Sequence, residues 1–215
     1  MGKITVYKDK LVYERREELT VIEPYGRNCL RCRSTRNGKI LDEAWTLLPP
    51  TDDAECVTEG DEKEATIRNG MMSAKIEAGE LWYGGIITYY RDGSQILHTK
   101  FEGEYTGRNV HVEGDHYQIK VIFDANENEH FYGLGQEQEN QFDRKGSTVN
   151  LLHYNTKSAV PVVYSSLGYG FFWNNPAPGR CETTNNHTMW VADSAYQADY
   201  LVYADTTPAA VVRKY

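Results

Sequence analysis

The sequence has no hydrophobic run long enough to cross a membrane, and it has few positive charges for its size. No apolar stretch in its 215 residues approaches the roughly 18–20 residues of a membrane span, and the first residues lack the apolar segment of a secretory signal. Lys and Arg number 23 against 31 Asp and Glu, a net charge of −8, which disfavours binding to nucleic-acid phosphates. We therefore expect a cytoplasmic protein with neither a nucleic-acid nor a membrane partner.

Cysteine is scarce, and its spacing does not predict a metal site. Cys29 and Cys32 form one Cys-x-x-Cys pair, but a structural zinc site needs two pairs, and Cys56 and Cys181 are isolated. Because the first pair lies in a strand-like segment, its two thiols are expected on opposite faces of a sheet. The acidic stretch 51–64 lacks the ligand spacing of a calcium loop. We predict free thiols, no metal and a solvated acidic loop.

Cofactor motifs are missing as well. The Gly133-x-Gly135 pair has Gln138 where a dinucleotide fingerprint has its third glycine, and no strand–helix unit surrounds it. The six histidines do not show the His-x-x-x-His spacing of a helical metal site. We predict that the chain binds no cofactor.

The sequence is instead rich in features of β-structure. Aromatic residues make up 12%, including 16 Tyr, and 18 Gly interrupt short apolar runs. Strand-like segments separated by closely spaced turn signals are typical of an antiparallel sandwich. In residues 116–123 the apolar side chains alternate with polar ones, which is the period of a strand with one buried face. The predicted fold class is all-β, an antiparallel β-sandwich.

Turn dipeptides predict where the strands are joined. Asn37-Gly38 separates strand-like runs at 28–35 and 39–48, and Asn69-Gly70 separates runs at 65–68 and 71–78. Further strands are predicted at residues 82–90, 94–98, 116–123, 148–152, 160–165, 171–173, 188–192 and 198–203. The turns between them are predicted at 91–93, 114–115 and 176–179.

The last residues predict the start of a helix. Thr207-Pro208 combines an N-cap with a proline at the first helical position, and Val211, Val212 and Tyr215 share one helical face. We expect this face to belong to an apolar patch that a further domain covers. The predicted segments are 1–207, a β-sandwich domain, and 208–215, the start of a helix or linker.

Three carboxylates near many aromatic rings raise the question of glycoside hydrolysis. That reaction needs two carboxylates that flank the scissile bond, and Glu137, Glu139 and Asp143 are the candidates. Aromatic faces beside polar groups are also what sugars stack on. A polar run such as 136–139 is nevertheless typical of a solvated loop, and we favour that interpretation over direct catalysis.

Four short motifs follow one another in the second half of the chain. They are Phe-Tyr-Gly-Leu-Gly-Gln at 131–136, Tyr-Asn-Thr-Lys at 154–157, Ser-Ser-Leu-Gly-Tyr-Gly-Phe-Phe-Trp-Asn-Asn at 165–175, and Tyr-Leu-Val-Tyr at 200–203, the last followed by Thr207-Pro208. In this order they resemble glycoside hydrolase family 31, specifically the N-terminal β-sandwich that precedes its catalytic (β/α)8 barrel. The first two motifs are most similar to the bacterial α-xylosidase and α-glucosidase branch.

The resemblance implies a fold similar to galactose mutarotase and a supporting, non-catalytic role. The family's nucleophilic and acid/base Asp residues lie on barrel segments, and no position here matches either motif, so no catalytic residue is assigned. The implied partners are the catalytic barrel of the same parent chain and an α-xyloside or α-glucoside substrate. A sandwich loop helps to wall the sugar pocket in this family, and it corresponds to residues 150–157. His153, Tyr154 and Asn155 are therefore the predicted substrate-binding residues.

The sequence leaves three hypotheses for the function of the chain. The leading hypothesis is the N-terminal sandwich of a retaining, exo-acting α-glycoside hydrolase, inert as an isolated chain. A stand-alone carbohydrate-binding module would use exposed Trp and Tyr as a platform and would need a closed C-terminal edge. An aldose epimerase would require a His and a carboxylate that converge in one concave site.

Overall fold

β-Strands are the main secondary structure of the described residues, and helix is confined to one short segment there. The computed structural model describes residues 2–44, 46–79, 84–100 and 109–215. The elements within these ranges are β1 Lys3–Val6, β2 Leu11–Arg15, β3 Glu18–Pro24, β4 Cys29–Thr35, β5 Cys56–Gly60, β6 Glu64–Asn69, β7 Met72–Glu77, β8 Ile86–Arg91, β9 Ser94–His98, β10 Asn109–Glu113, β11 His116–Asp124, β12 Phe131–Gln136, β13 Thr148–Leu151, β14 Ser158–Ser165, β15 Tyr169–Trp173, β16 Gly179–Thr183, β17 His187–Ala195, β18 Gln197–Ala204 and α1 Pro208–Lys214.

The strands form three sheets in which neighbouring strands are antiparallel. The eight-stranded sheet has the order β1-β2-β3-β4-β18-β15-β14-β12. The β11–β17 sheet has the order β10-β11-β17-β16-β13, and the β5–β9 sheet has the order β5-β6-β7-β8-β9. The predicted all-β, antiparallel fold class is confirmed.

An aromatic cluster joins the three sheets in one core. Phe171 and Tyr200 come from the eight-stranded sheet, Phe123 and Trp190 from the β11–β17 sheet, and Tyr89 from the β5–β9 sheet. Ring centroids lie 4.8 Å apart for Phe171–Trp190, 5.8 Å for Phe123–Phe171 and 6.3 Å for Tyr89–Tyr200. Each such pair contributes about 0.5–1.5 kcal/mol beyond the area it buries. The sheets are therefore held as a single packed body.

Most of the predicted hairpin turns are confirmed. Gly70 has a φ of 61° in the turn between β6 and β7, and Asp92 and Gly93 have φ values of 48° and 80° between β8 and β9. Gly114, with a φ of 59°, lies between β10 and β11. Positive φ at these positions is what short hairpin turns require, and it explains why the dipeptides were informative. The first part of the strand predicted at 82–90 lies outside the described residues, and β8 begins at Ile86.

The strand predicted at 39–48 is wrong. The described part of this segment forms no strand, because β3 and β18 already pair with the two edges of β4. The segment is held by a side chain instead: the Leu41 N–H donates to Gln197 Oε1 at 2.8 Å, and Gln197 Nε2 donates to Leu41 O at 3.0 Å. A partner about 156 residues away in sequence thus replaces the local hairpin.

The helix α1 starts as predicted. Thr207 Oγ1 accepts a hydrogen bond from the Ala210 N–H at 3.2 Å, and Pro208 occupies the first turn. This bond satisfies one of the N–H groups that a helix start leaves without an intrahelical partner. The division of the chain at residues 207 and 208 stays a prediction.

Only part of the apolar face of α1 is open to a partner. Val211 is 1% exposed and packs with Phe172 and Leu201 against the outer face of the eight-stranded sheet. Val212 and Tyr215 are 59% and 60% exposed. The expected open patch therefore includes Val212 and Tyr215, but not Val211, which the sheet itself covers.

The cysteines behave as isolated thiols. Cys29 belongs to the cluster beneath α1 and Cys32 to the main core, so the two lie on opposite faces of β4 as predicted. All four cysteines are free. Within the described ranges no group of three His, Cys, Asp or Glu side chains is placed to hold a metal ion. No helix in that part of the chain is long and apolar enough to cross a membrane.

Candidate functional site

The Gly-Leu-Gly sequence interrupts β12 where it pairs with β14. Gly133, Leu134 and Gly135 have φ values of 127°, 66° and 87° in succession, and the register shifts between the two glycines. A Cβ at Gly133 would lie 2.5 Å from Val162 O, and one at Gly135 only 2.0 Å from Ser158 O. Both glycines are therefore required by backbone conformation and by the close approach of β14.

The three predicted substrate-binding residues lie together on an exposed loop. His153, Tyr154 and Asn155 all have exposed side chains, and Tyr154 is 44% exposed. The Lys157 N–H donates to Tyr154 O at 3.0 Å, and Asn155 has a φ of 54°, a conformation that Asn adopts more readily than most residues. We call residues 154–157 the Tyr154 turn. It presents a phenol, an amide and, from the adjacent His153, an imidazole to solvent.

The Tyr154 turn is tied to the end of β12 by an ion pair. Lys157 Nζ lies 2.5 Å from Glu137 Oε2, and the two side chains are 17% and 4% exposed. The same Nζ is 5.5 Å from the centre of the Tyr154 ring, a cation–π arrangement. The hydrogen bond to Glu137 raises the pKa of Lys157 above its ordinary value. Gln138 Nε2 donates to Thr156 Oγ1 as a second link.

Two of the three carboxylates considered for catalysis are engaged in other contacts, and the third, Glu139, is exposed. The Glu137 side chain is nearly buried and paired, so the prediction of a solvated loop is wrong at that position. Asp143 Oδ1 accepts hydrogen bonds from the N–H groups of Phe131 and Lys145, and Oδ2 lies 2.6 Å from His130 Nδ1. Partial burial raises the pKa of Asp143, but these hydrogen bonds outweigh it and hold the pKa below its ordinary value. Asp143 anchors its loop.

The His130–Asp143 contact does not form the concave site that an aldose epimerase needs. The two side chains are 53% and 37% exposed, and Asp143 is committed to backbone N–H groups. Both oxygens of Asp143 are thus engaged, Oδ1 by backbone N–H groups and Oδ2 by His130. This pair therefore gives the epimerase hypothesis no support.

A buried acid near β12 was missed from the sequence. Glu129 is 1% exposed, and its Oε1 accepts hydrogen bonds from Ser165 Oγ at 2.5 Å and Tyr169 OH at 2.7 Å. Burial raises the pKa of Glu129, although both hydroxyl groups act to lower it. The spacing of residues in the sequence does not predict this contact, because its two donors are 36 and 40 residues away.

An apolar groove lies between α1 and the β12–β14 edge of the eight-stranded sheet. Its volume is about 290 Å³, and residues along it include Gly135, Val160, Tyr164, Val212 and Tyr215. Gly135 and Val160 lie close to Ser158, the first residue of β14, which directly follows the Tyr154 turn. The groove therefore runs from the end of α1 to the base of that turn.

Two half-buried tyrosine rings and one exposed phenylalanine ring lie beside this groove. Tyr132 packs against Tyr164 with ring centroids 6.2 Å apart and against Phe142 at 5.0 Å. Phe142 is 83% exposed. An apolar ring with so much solvent exposure beside an apolar groove marks a surface suited to a partner.

A family model described as the glycosyl hydrolase 31 N-terminal galactose mutarotase-like domain matches residues 18–182. The chain belongs to this family. The resemblance stated from the four motifs is thereby confirmed, and it extends well before residue 131.

Several family 31 proteins are similar to this chain over part of their length. A Pseudescherichia vulneris protein named as an uncharacterized family 31 glucosidase is 28% identical over 239 residues, covering 100% of this chain and 44% of its own length. α-Xylosidase A of Aspergillus niger is 27% identical over 217 residues, covering 87% of this chain and 28% of its own. The solved structure of a family 31 α-xylosidase from a soil metagenome, complexed with xylose, has 31% identity and a TM-score of 0.88, covering 97% of this chain and 33% of that one.

This chain matches only a fraction of the length of each family 31 relative. It spans less than half the length of each of these relatives. The chain therefore corresponds to a non-catalytic, N-terminal part of α-xylosidase- and glucosidase-like enzymes. The substrate-binding role of His153, Tyr154 and Asn155 stays a prediction.

Proposed function

We propose that this chain supports the catalytic barrel of a retaining, exo-acting α-xylosidase or α-glucosidase and lends the loop 153–155 to its sugar pocket. The observation that carries the proposal is the apolar groove, which extends from α1 to the base of the Tyr154 turn. A domain that fills this groove lies beside the exposed loop. One partner is thus brought into contact with both surfaces.

The loop has the chemistry that sugar binding needs. A ring face stacks on the apolar C–H face of a pyranose, while imidazole and amide groups exchange hydrogen bonds with its hydroxyls. Tyr154 offers such a ring, and His153 and Asn155 supply the polar groups. The loop is held by contacts behind it, which leaves its exposed side free for substrate.

The groove fits the remainder of a parent chain. Its lining is apolar, and water is a poor solvent for an open surface of Val and Tyr side chains. In the relatives, more than half of the chain lies outside the part matched here. The catalytic barrel implied by the family resemblance is the partner we assign to this surface.

The chemistry itself is assigned to that barrel. A retaining glycosidase places two carboxyl groups about 5–5.5 Å apart around the glycosidic bond. Here Glu137 is paired with Lys157 and Asp143 with backbone N–H groups, so neither is placed as a nucleophile or proton donor. The isolated 215-residue chain should therefore not hydrolyse aryl α-xylosides or α-glucosides. A cytoplasmic location stays a prediction.

Kinetics of the longer protein that contains this chain test the proposal. Tyr154→Ala and Asn155→Ala should each lower kcat/KM on aryl α-xylosides or α-glucosides by the equivalent of about 1–3 kcal/mol, the cost of a lost polar or stacking contact. Tyr7→Ala is a matched control, because Tyr7 is 47% exposed and Lys10 Nζ lies 5.4 Å from its ring centre. If both loop variants keep wild-type kcat/KM on both substrate types, the loop does not bind substrate and is an ordinary turn.

A stand-alone carbohydrate-binding module is the second candidate. The rings of Phe142, Tyr132 and Tyr164 favour it, since a row of aromatic side chains is a plausible sugar platform. Titration calorimetry of the isolated chain with xylose- and glucose-containing oligosaccharides distinguishes the two functions. Our proposal predicts affinities no tighter than about millimolar, or −4 kcal/mol. Micromolar binding abolished by Phe142→Ala would favour the module.

A further inference from the structure

The Gly-Leu-Gly interruption determines the direction of the chain that follows it. In a regular strand Phe131 and Leu134 would face opposite sides, yet both are buried in the main core. Three successive positive φ values break the alternation between them. A left-handed conformation costs a Leu residue roughly 1–2 kcal/mol, so the surrounding structure must stabilise it. Such irregularities re-aim side chains next to functional sites.

Glu137 is the first residue after the interrupted strand β12. It lies two residues beyond Gly135, is 4% exposed, and meets Lys157 of the Tyr154 turn at 2.5 Å. A carboxylate is rarely buried without a partner, and a charged pair also fixes orientation through its hydrogen bond. The ion pair thus joins the end of β12 to a loop twenty residues further along the chain.

Lys157 is shared between the carboxylate and the ring. Its Nζ pairs with Glu137 and lies 5.5 Å from the centre of the Tyr154 ring. Its backbone N–H closes the turn by donating to Tyr154 O. The placement of the aromatic ring therefore depends on a side chain that the Glu137 carboxylate holds.

We propose that Glu137 is a positioning residue, which acts through Lys157 to hold the Tyr154 ring in place before a sugar arrives. The inference rests on the proposed function, in which the Tyr154 turn contacts substrate. Glu137 itself touches neither substrate nor the reacting atoms. Its contribution is preorganisation, which spares the complex the entropy of ordering the turn on binding.

Steady-state kinetics of the longer protein test the inference. Glu137→Gln and Lys157→Met should each lower kcat/KM about ten-fold, mainly through a higher KM, because the ring is no longer held in its binding position. Lys157→Arg keeps the cation and should stay within about threefold of wild type. Glu139→Gln is the matched control, since Glu139 is exposed in the same loop. A purely structural loss would lower the amount of active enzyme and leave KM unchanged.

Hydrogen exchange of the 215-residue chain supplies a readout that needs no activity. Glu137→Gln should speed exchange of the Lys157 amide at least ten-fold, and Glu139→Gln should not change it. If Tyr154→Ala lowers kcat/KM while Glu137→Gln and Lys157→Met keep wild-type KM, the positioning role is overturned and the proposed function stands. If Tyr154→Ala alone keeps wild-type kcat/KM, the positioning role is overturned, and if Asn155→Ala keeps it as well, the proposed role of the loop also fails. Unchanged Lys157 exchange in Glu137→Gln overturns the positioning role in either case.

Discussion

Two turns of this chain place a lysine three residues after a tyrosine and make a similar cation–π contact between them. In the Tyr7 turn, residues 7–10, the Tyr7 N–H donates to Lys10 O at 2.9 Å, and Lys10 Nζ lies 5.4 Å from the ring centre. In the Tyr154 turn the hydrogen bond runs the other way, from the Lys157 N–H to Tyr154 O at 3.0 Å, and Lys157 Nζ lies 5.5 Å from the ring centre. The two tyrosines are 47% and 44% exposed. The two turns therefore share the Tyr–Lys contact and the exposure of the ring, although their backbone hydrogen bonds differ.

The two turns differ in the contact behind the lysine. Lys157 pairs with the nearly buried Glu137, whereas no carboxylate among the described residues pairs with Lys10. An exposed cation–π contact alone is worth only about 0.5–1 kcal/mol, too little to fix a ring firmly. Local turn chemistry thus makes the Tyr–Lys contact in both places, and only in the Tyr154 turn does a long-range ion pair hold the lysine among the described residues. The Tyr7 turn is therefore a built-in control for the Tyr154 turn.

The largest loss of stability should come from a substitution that disrupts the Gly-Leu-Gly interruption before Glu137. Gly135→Ala places a Cβ 2.0 Å from Ser158 O at a φ of 87°, so we expect a loss of at least about 3 kcal/mol in the free energy of unfolding. Gly93→Ala has a similar φ of 80° but no atom within 4 Å of the new Cβ, and should cost only about 1 kcal/mol. Urea unfolding measures both. Equal losses would show that the close approach of β14 is unimportant.

A smaller effect should distinguish the two lysines. Lys157→Met leaves the Glu137 carboxylate without its partner at 4% exposure, whereas Lys10→Met removes only a surface cation. In thermal unfolding of the 215-residue chain we expect Tm to fall by about 3–8 °C for Lys157→Met and by no more than about 1 °C for Lys10→Met. A similar Tm in both variants would contradict the proposal that Glu137 stabilises the Tyr154 turn and that the Tyr7 turn has no such contact.

The end of the β12–β14 pair that lies away from the Tyr154 turn should respond to pH, through Glu129. Because burial raises the pKa of Glu129 in the folded state, its contribution is fully present below its ordinary pKa of 4.5. That contribution is lost as pH rises through the raised value. Relative to Glu129→Gln, the wild-type free energy of unfolding should therefore decline as the pH is raised above about 4.5. Glu139→Gln is the exposed control. A constant difference between wild type and Glu129→Gln would contradict the shift.

The smallest effect is expected from the two tyrosine rings themselves. Tyr154→Ala and Tyr7→Ala should each change the free energy of unfolding by less than about 0.5 kcal/mol, because both rings are nearly half exposed. Urea unfolding of the 215-residue chain provides the measurement. A large loss for Tyr154→Ala alone would mean that its kinetic effect reports folding rather than sugar contact.

The sequence could predict those parts of the fold that depend on local conformation. Asn69-Gly70 indicated its hairpin because Gly70 accepts a positive φ, and Thr207-Pro208 indicated the start of α1 because the cap is formed within four residues. The strand at 39–48 was wrong because Gln197, far away in the sequence, holds Leu41 and because β18 takes the free edge of β4. Turn residues carry no information about such a competitor.

The candidate site was likewise predictable only where it depends on a local motif. The loop 153–155 was found from a motif, and the structure places all three side chains in solvent. The Glu137–Lys157 pair was not found, because it spans twenty residues and depends on three positive φ values within one strand. The Gly-Leu-Gly sequence was the available signal, but it was considered as a nucleotide motif and as part of the family resemblance, and not as a strand interruption. Its use as a strand interruption requires knowing that β14 approaches it.

A crystal structure of the longer protein with bound xylose or glucose tests the central claim most directly. The account predicts that a side-chain atom of Tyr154, Asn155 or His153 lies within about 4 Å of the sugar, at stacking or hydrogen-bonding distance. It also predicts that Lys157 remains paired with Glu137 in that complex. A sugar bound in the catalytic pocket with every side-chain atom of residues 153–155 beyond contact distance would contradict the account.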